Sequence, residues 1–187
     1  MTEQERNELH ERIAQVKERV ARAAEKAGKK PEDIILVAAS KMNDTERVQE
    51  AIRAGIEVCG ENRVQELQEK YEQDAYDGAD LQFIGTLQTN KVKQVVGKAA
   101  LIQSVGSLPL LEAVEKEAEK QDIVQDILLE VNIGGEEAKS GFAPAQLEDA
   151  ARAAQAMSHV RLRGLMTIPP ADSDRDTNIR YFQEVRA

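Results

Sequence analysis

The chain has no tryptophan, and aromatic residues of all kinds make up only 3% of its 187 residues. Its core must therefore be aliphatic. A single cysteine, Cys59, excludes an intrachain disulfide. With only two histidines beside it, a structural zinc site is not expected. No apolar run approaches the roughly 18 residues of a membrane span. The charged N-terminus lacks the apolar segment of a signal peptide. A cytoplasmic protein is the expectation. Positive charge is also in deficit: the formal net charge is −9. That argues against non-specific binding to nucleic acid or to an anionic membrane. No Pro/Ser-rich linker, low-complexity tract or charge block divides the chain.

What is present suits one soluble globular domain: 41% hydrophobic and 32% charged residues over a length that supports one sizeable core. Residues 2–27 read as one amphipathic helix. Leu9, Ile13, Val16, Val20, Ala23 and Ala27 recur at helical spacing. Thr2 and Glu5 form a capping-box pair, and Gly28 supplies the stop. After it the pattern alternates. Strands are predicted at 33–39, 56–59, 81–85, 100–104, 125–133 and 160–166. Helices are predicted at about 45–54, 62–73, 90–96, 108–120, 144–157 and 176–187. Asn43 with Glu46, Ser107 with Pro109, and Pro144 mark helix starts; Gly55 and Gly97 mark ends. Strands each followed by a helix imply parallel β-α units.

Two architectures compete. A doubly wound sheet binds nucleotides through a Gly-rich turn after its first strand, but here Ser40-Lys41-Met42-Asn43 stands there. A (β/α) barrel uses the C-terminal ends of its strands. Those ends are polar or glycine-containing in this chain: Ser40-Lys41, Gly60-Glu61-Asn62, Gly85-Thr86-Leu87-Gln88, Ser104, Asn132 and Met166-Thr167. The barrel is favoured, with six of its eight units present. Lys41 is the most informative of these residues. It directly follows the apolar run Ile34–Ser40, which reads as a buried strand. Burial at that point would lower the lysine pKa and leave more neutral amine to attack a carbonyl. The alternative is a lysine that has emerged into a solvated loop.

The sequence resembles the pyridoxal 5′-phosphate (PLP) homeostasis proteins. These are single-domain barrels related to the N-terminal domain of alanine racemase. The resemblance rests on Leu36-Val37-Ala38-Ala39-Ser40-Lys41, Gly60-Glu61-Asn62-Arg63-Val64-Gln65-Glu66, Phe83-Ile84-Gly85-Thr86-Leu87-Gln88-Thr89-Asn90-Lys91, Val131-Asn132-Ile133 with Lys139-Ser140-Gly141, and Arg163-Gly164-Leu165-Met166. These segments stand in the family order and span most of the chain. The resemblance implies PLP held as an internal aldimine on Lys41, with Asn62 beside the cofactor and Met166 near its ring. Lys139 matches the Lys-Ser-Gly element, in cofactor transfer or loop structure. Each has a plainer alternative: Asn62 as a helix N-cap, Met166 as barrel packing. Lys91 and Lys93 read as a solvated helix face, and Cys59 as a small buried apolar residue with no basic partner.

The sequence departs from the family at Met42, where threonine is usual, and at Gln82, where histidine is usual. The family also continues through two further strands whose loops hold the cofactor phosphate, in line with the phosphate sites of barrels generally. The expectation is therefore an α/β fold, a PLP-binding TIM-type (β/α) barrel. Residues 1–187 would form one domain lacking strands seven and eight, with a long N-terminal helix. Gly134-Gly135, flanked by Glu136 and Glu137, would repel a phosphate rather than replace the missing loop. Outer strands one and six would favour self-association. The implied function is non-catalytic PLP binding in intracellular PLP homeostasis, with apo PLP-dependent enzymes as partners. The alternatives are a racemase-like PLP enzyme, which needs an acid/base on each face of the substrate, and a cofactor-free interaction module.

Overall fold

The computed structural model describes residues 1–136 and 139–186. Six strands form one sheet in chain order: β1 (Val37–Ala39), β2 (Val58–Glu61), β3 (Asp80–Phe83), β4 (Leu101–Val105), β5 (Gln125–Glu130) and β6 (Val160–Met166). The registered pairs β1–β2, β4–β5 and β5–β6 are parallel, as the alternation of strands and helices predicts. The chain divides into two compact units, Met1–Gln82 and Phe83–Ala187.

In the first unit, α1 (Glu3–Lys26) begins with the predicted capping box. Thr2 Oγ1 accepts from Glu5 N at 3.2 Å, and Glu5 Oε2 accepts from Thr2 N at 2.7 Å. Its covered face is narrower than the apolar spacing predicts. Leu9, Ile13, Val20 and Ala21 are half-buried and Ala24 is buried, whereas Val16, Ala23 and Ala27 are exposed. Polar contacts tie α1 to α2 (Thr45–Arg53). The Met1 ammonium pairs with Glu46 at 2.6 Å, and His10 Nε2 lies 2.7 Å from Glu50. Asp44, not Asn43, caps α2, its side chain accepting from Arg47 N at 2.8 Å.

The first strand is shorter and less buried than the run Ile34–Ala39 suggests. Pro31–Asp33 form a 3-10 turn in which Asp33 Oδ2 accepts from Lys30 N at 3.2 Å. Ile34 N then bonds back to Pro31 O at 3.1 Å, which keeps Ile34 out of the ladder. Ile34 and Ile35 stay exposed, and in the strand itself only Val37 and Ala38 are half-buried. Turn chemistry overrides the strand preference of two isoleucines here. β2, by contrast, is buried along its whole length. α3 (Val64–Glu72) follows it, with Arg63 at the N-cap and no side-chain cap bond.

In the second unit the core is mostly aliphatic, as the scarcity of aromatics suggests, with Phe83 and Phe142 as its buried aromatic members. Ile102, Val105, Leu111, Val114, Ile127 and Leu129 are fully buried. Ser107 caps α4 (Leu108–Lys120) as predicted, its Oγ accepting from Leu110 N at 3.4 Å. The predicted helix at 90–96 is a 3-10 segment, Thr89–Gln94. Pro144–Gln146 form a 3-10 lead into α5 (Leu147–Gln155), and α6 spans Arg175–Arg186. β5 ends at Glu130 rather than 133 because Val131 leaves the strand to bridge Phe142, and residues 133–134 turn.

Candidate functional site

The strand ends of the first unit bring Lys41 and Asn62 onto neighbouring chains. β1 and β2 pair in register at Ala39 and Gly60. Two residues past each partner stand Lys41 and Asn62. Lys41 is exposed in a turn, so the desolvation argued from the sequence has no burial to act on. The correction has a geometric cause. β1 closes at Ala39, and the chain turns outward at Ser40, with Asn43 N returning to Ser40 O at 3.2 Å. Among the described residues no carboxylate pairs with the Lys41 amine.

The buried partner of this turn is a polar cluster. Ser40 is buried, and its hydroxyl lies 3.0 Å from Glu61 Oε1 and 3.1 Å from Gly60 O. Glu61 is completely buried, and Lys70 pairs with it at 2.6 Å. Lys70 Nζ also donates to Ser40 O at 2.8 Å and lies 3.3 Å from Glu66 Oε2. Glu66 in turn accepts from Met42 N at 2.8 Å. That bond, opposed by burial and aided by Lys70, holds the Glu66 carboxyl below its ordinary value of 4.5. The Tyr76 hydroxyl is buried beside Ser40 and makes no hydrogen bond among the described residues. Burial, then the Glu61 charge, pushes its pKa upward.

Asn62 is not the N-cap of α3; Arg63 is. Its backbone N–H donates to Glu61 Oε2 at 3.1 Å, while its Oδ1 is buried and finds no partner among the described residues. A buried side-chain oxygen with no donor is uncommon and marks a place where a ligand donor could be received. Cys59 is 2% exposed, and burial, then the Glu61 charge, pushes its thiol up to about 11. That agrees with a packing residue rather than a nucleophile.

In the second unit Met166 ends β6, half-buried, and its carbonyl accepts from Val131 N at 2.8 Å. Near that strand end a cavity of about 220 Å³ is lined by Thr86, Glu130, Asn132, Lys139, Ser140 and Ile168. Lys139 does not reach out as a free amine. Its Nζ pairs with Glu136 at 2.5 Å and lies 3.5 Å from Pro169 O, which favours the loop role over cofactor transfer. Glu137, expected to repel a phosphate, lies outside the described residues. Ser140 Oγ lies 3.0 Å from both carboxylate oxygens of Glu130, and burial raises the Glu130 pKa against that bond. Lys93 is exposed and Lys91 half-buried on the 3-10 segment.

The sequence profile of the alanine racemase N-terminal domain family matches residues 12–187. The pyridoxal phosphate homeostasis protein of Aquifex aeolicus is 43% identical over 178 residues, 94% of this chain and 77% of that protein. The chain belongs to the pyridoxal phosphate homeostasis protein family. The fold agrees with that membership. A crystal structure of an unknown protein from Bifidobacterium adolescentis superposes with a TM-score of 0.93 at 33% identity, covering 100% of this chain and 79% of that one. PipY of Synechococcus elongatus, solved with PLP bound, superposes with a TM-score of 0.75 at 28% identity, covering 89% and 78%. The fold is thus the α/β, alanine-racemase-N-like type expected from the sequence.

Within this family framework, sequence reasoning selected Lys41 and Asn62 but missed Glu61, Glu66 and Lys70 as one group. A signal was available. Val64, Leu67 and Lys70 recur every three residues on α3, and all three are buried. A lysine at the third position of an apolar helical stripe needs a buried partner. Glu66 at i−4 and the glutamate of Gly-Glu-Asn were the candidates.

Proposed function

We propose that the chain binds PLP on Lys41 and serves PLP homeostasis without turning over a substrate. The observation that carries this reading is the Lys41 turn: an exposed, unpaired amine at a strand end, on backbone pinned from both sides. When bound, PLP supplies an aldehyde that condenses with a primary amine and releases one water. The residues present fit that group at its aldehyde end. Lys41 offers the amine, and Asn62 offers a buried acceptor without a donor on the adjoining strand end. Met166 is the third contact, assigned to the ring by the family pattern. PLP in the related PipY structure and the name borne by the Aquifex relative support the same reading.

Two observations support the absence of turnover. Lys41 is open to water, whereas directed carbanion chemistry requires an enclosed site. Both histidines are engaged elsewhere, His10 with Glu50 and His159 with Glu115. The physiological partners in this reading are apo PLP-dependent enzymes in the cytoplasm. No described helix is long and apolar enough to cross a membrane.

The test is borohydride reduction of the PLP-treated chain followed by peptide mapping. The adduct is expected on Lys41 and should vanish in Lys41→Ala, with no racemase or transaminase turnover in either protein. An adduct confined to Lys91, Lys93 or Lys139 would sink the assignment. Robust turnover dependent on Lys41 would overturn the non-catalytic reading.

A further inference from the structure

The Lys41 side chain is a flexible four-carbon stem ending in an exposed amine, so nothing in it fixes its own position. The backbone on either side is held instead: Asn43 N donates to Ser40 O at 3.2 Å and Asn43 Nδ2 to Lys41 O at 3.1 Å, and one buried ammonium links both flanks. Lys70 Nζ donates to Ser40 O at 2.8 Å, immediately before Lys41. It also pairs at 3.3 Å with Glu66 Oε2, the oxygen that accepts Met42 N at 2.8 Å, immediately after Lys41. Its third partner is Glu61 Oε1 at 2.6 Å, which also lies 3.0 Å from the Ser40 hydroxyl. Three N–H bonds thus meet three acceptors, the full donor capacity of an ammonium.

Stability alone does not account for this arrangement. A buried ion pair gains little over a well-packed apolar pair, because both charges must be desolvated. Meanwhile Met42 holds φ at 62°, a left-handed conformation disfavoured for a residue with a Cβ. The residue is 83% exposed, so packing does not impose that angle. Such a conformation persists where the surroundings over-determine it. Here the Glu66 bond to Met42 N and the Lys70 bond to Ser40 O act with the two Asn43 bonds to hold it.

We infer that Lys70, with Glu61 and Glu66, is a positioning group that holds the Lys41 turn in the conformation presenting its amine to an aldehyde ligand. The inference rests on the assignment of Lys41 above. Lys70 itself is 7% exposed, with all three N–H bonds engaged, and does not compete for the ligand.

The experiment compares the full wild-type chain with the double variant Glu61→Gln/Lys70→Met. Removing both charges together avoids stranding one of them in the core. Amide exchange needs no ligand. The Met42 and Asn43 amides should exchange at least about tenfold faster in the variant, with α4 amides unchanged. Trapping at limiting PLP supplies the second reading: the share of adduct on Lys41 should fall several-fold, the remainder moving to exposed lysines. A second variant, Glu66→Ala, leaves the buried pair whole. It should free the Met42 amide and lower trapping on Lys41 even if the double variant fails to fold. Unchanged exchange overturns the inference, and so does faster exchange with undiminished trapping on Lys41. A wild-type chain that traps no PLP on Lys41 defeats the assignment of that lysine, whereas the exchange result still decides whether Lys70 holds the turn.

Discussion

At the scale of single residues, the proposed chemistry depends on how unlike the two lysines are. Lys41 is exposed and unpaired, while Lys70 is buried and saturated with acceptors. The apolar run before Lys41 predicts burial there; the structure places the burial on Lys70 of α3 instead. Glu66 makes this testable by pH. Its carboxyl is held below 4.5, chiefly by the Met42 N–H and against burial. A depressed folded-state pKa contributes stability above the unfolded value, and that stability is lost as pH falls through the folded one. The Met42 amide resonance should therefore titrate with a midpoint below 4.5. A midpoint at or above that value would count against the Glu66–Met42 bond.

At the scale of elements, local signals decided where helices begin, and tertiary crowding decided which glycines are needed. Thr2, Asp44 and Ser107 each cap a helix with their own side chain. Gly141 is a different case. It holds φ at 116°, and a Cβ there would come within 2.7 Å of Asn132 N. Gly135 holds φ at 64° with open space around it. Gly141→Ala should therefore lower stability by about 1–3 kcal/mol more than Gly135→Ala, since it adds a backbone clash to the strained dihedral. Chemical denaturation of the two variants measures the difference; equal losses would mean that the Lys139-Ser140-Gly141 segment moves aside freely.

At the scale of the whole molecule, charge and exposed apolar surface oppose each other. β1 and β6 are the outer strands of the sheet. Ile35, beside β1, is 68% exposed, and Leu165 in β6 is 37% exposed. Uncovered outer strands favour edge pairing, whereas a net charge of −9 repels other copies of the chain. Salt screens the repulsion over roughly 10 Å at 0.1 M and leaves the apolar term in place. Sedimentation velocity should show self-association that grows with ionic strength and falls in Ile35→Lys. Association that weakens with salt would show that ion pairs, not apolar edges, bring the copies together.

The sequence by itself determined the element order, the parallel α/β class, the aliphatic core, the capping box of α1 and the family. Periodicity, cap chemistry and five ordered motifs are local properties, legible without knowing what packs where. It also placed Lys41 and Asn62 just beyond predicted strand ends; their equal offset from the Ala39–Gly60 pair came from the structure. Tertiary structure decided the rest. The Pro31–Asp33 turn shortened β1, because a capped turn withdrew Ile34 from the ladder. Arg63 rather than Asn62 became the cap of α3, which left Asn62 Oδ1 buried with no partner among the described residues. The Ser40–Glu61–Glu66–Lys70 cluster could form only when residues up to 30 positions apart met, as in the Lys70 to Ser40 bond. Burial and hydrogen-bond partners are properties of that meeting, so which lysine is exposed and which is buried was settled by the fold.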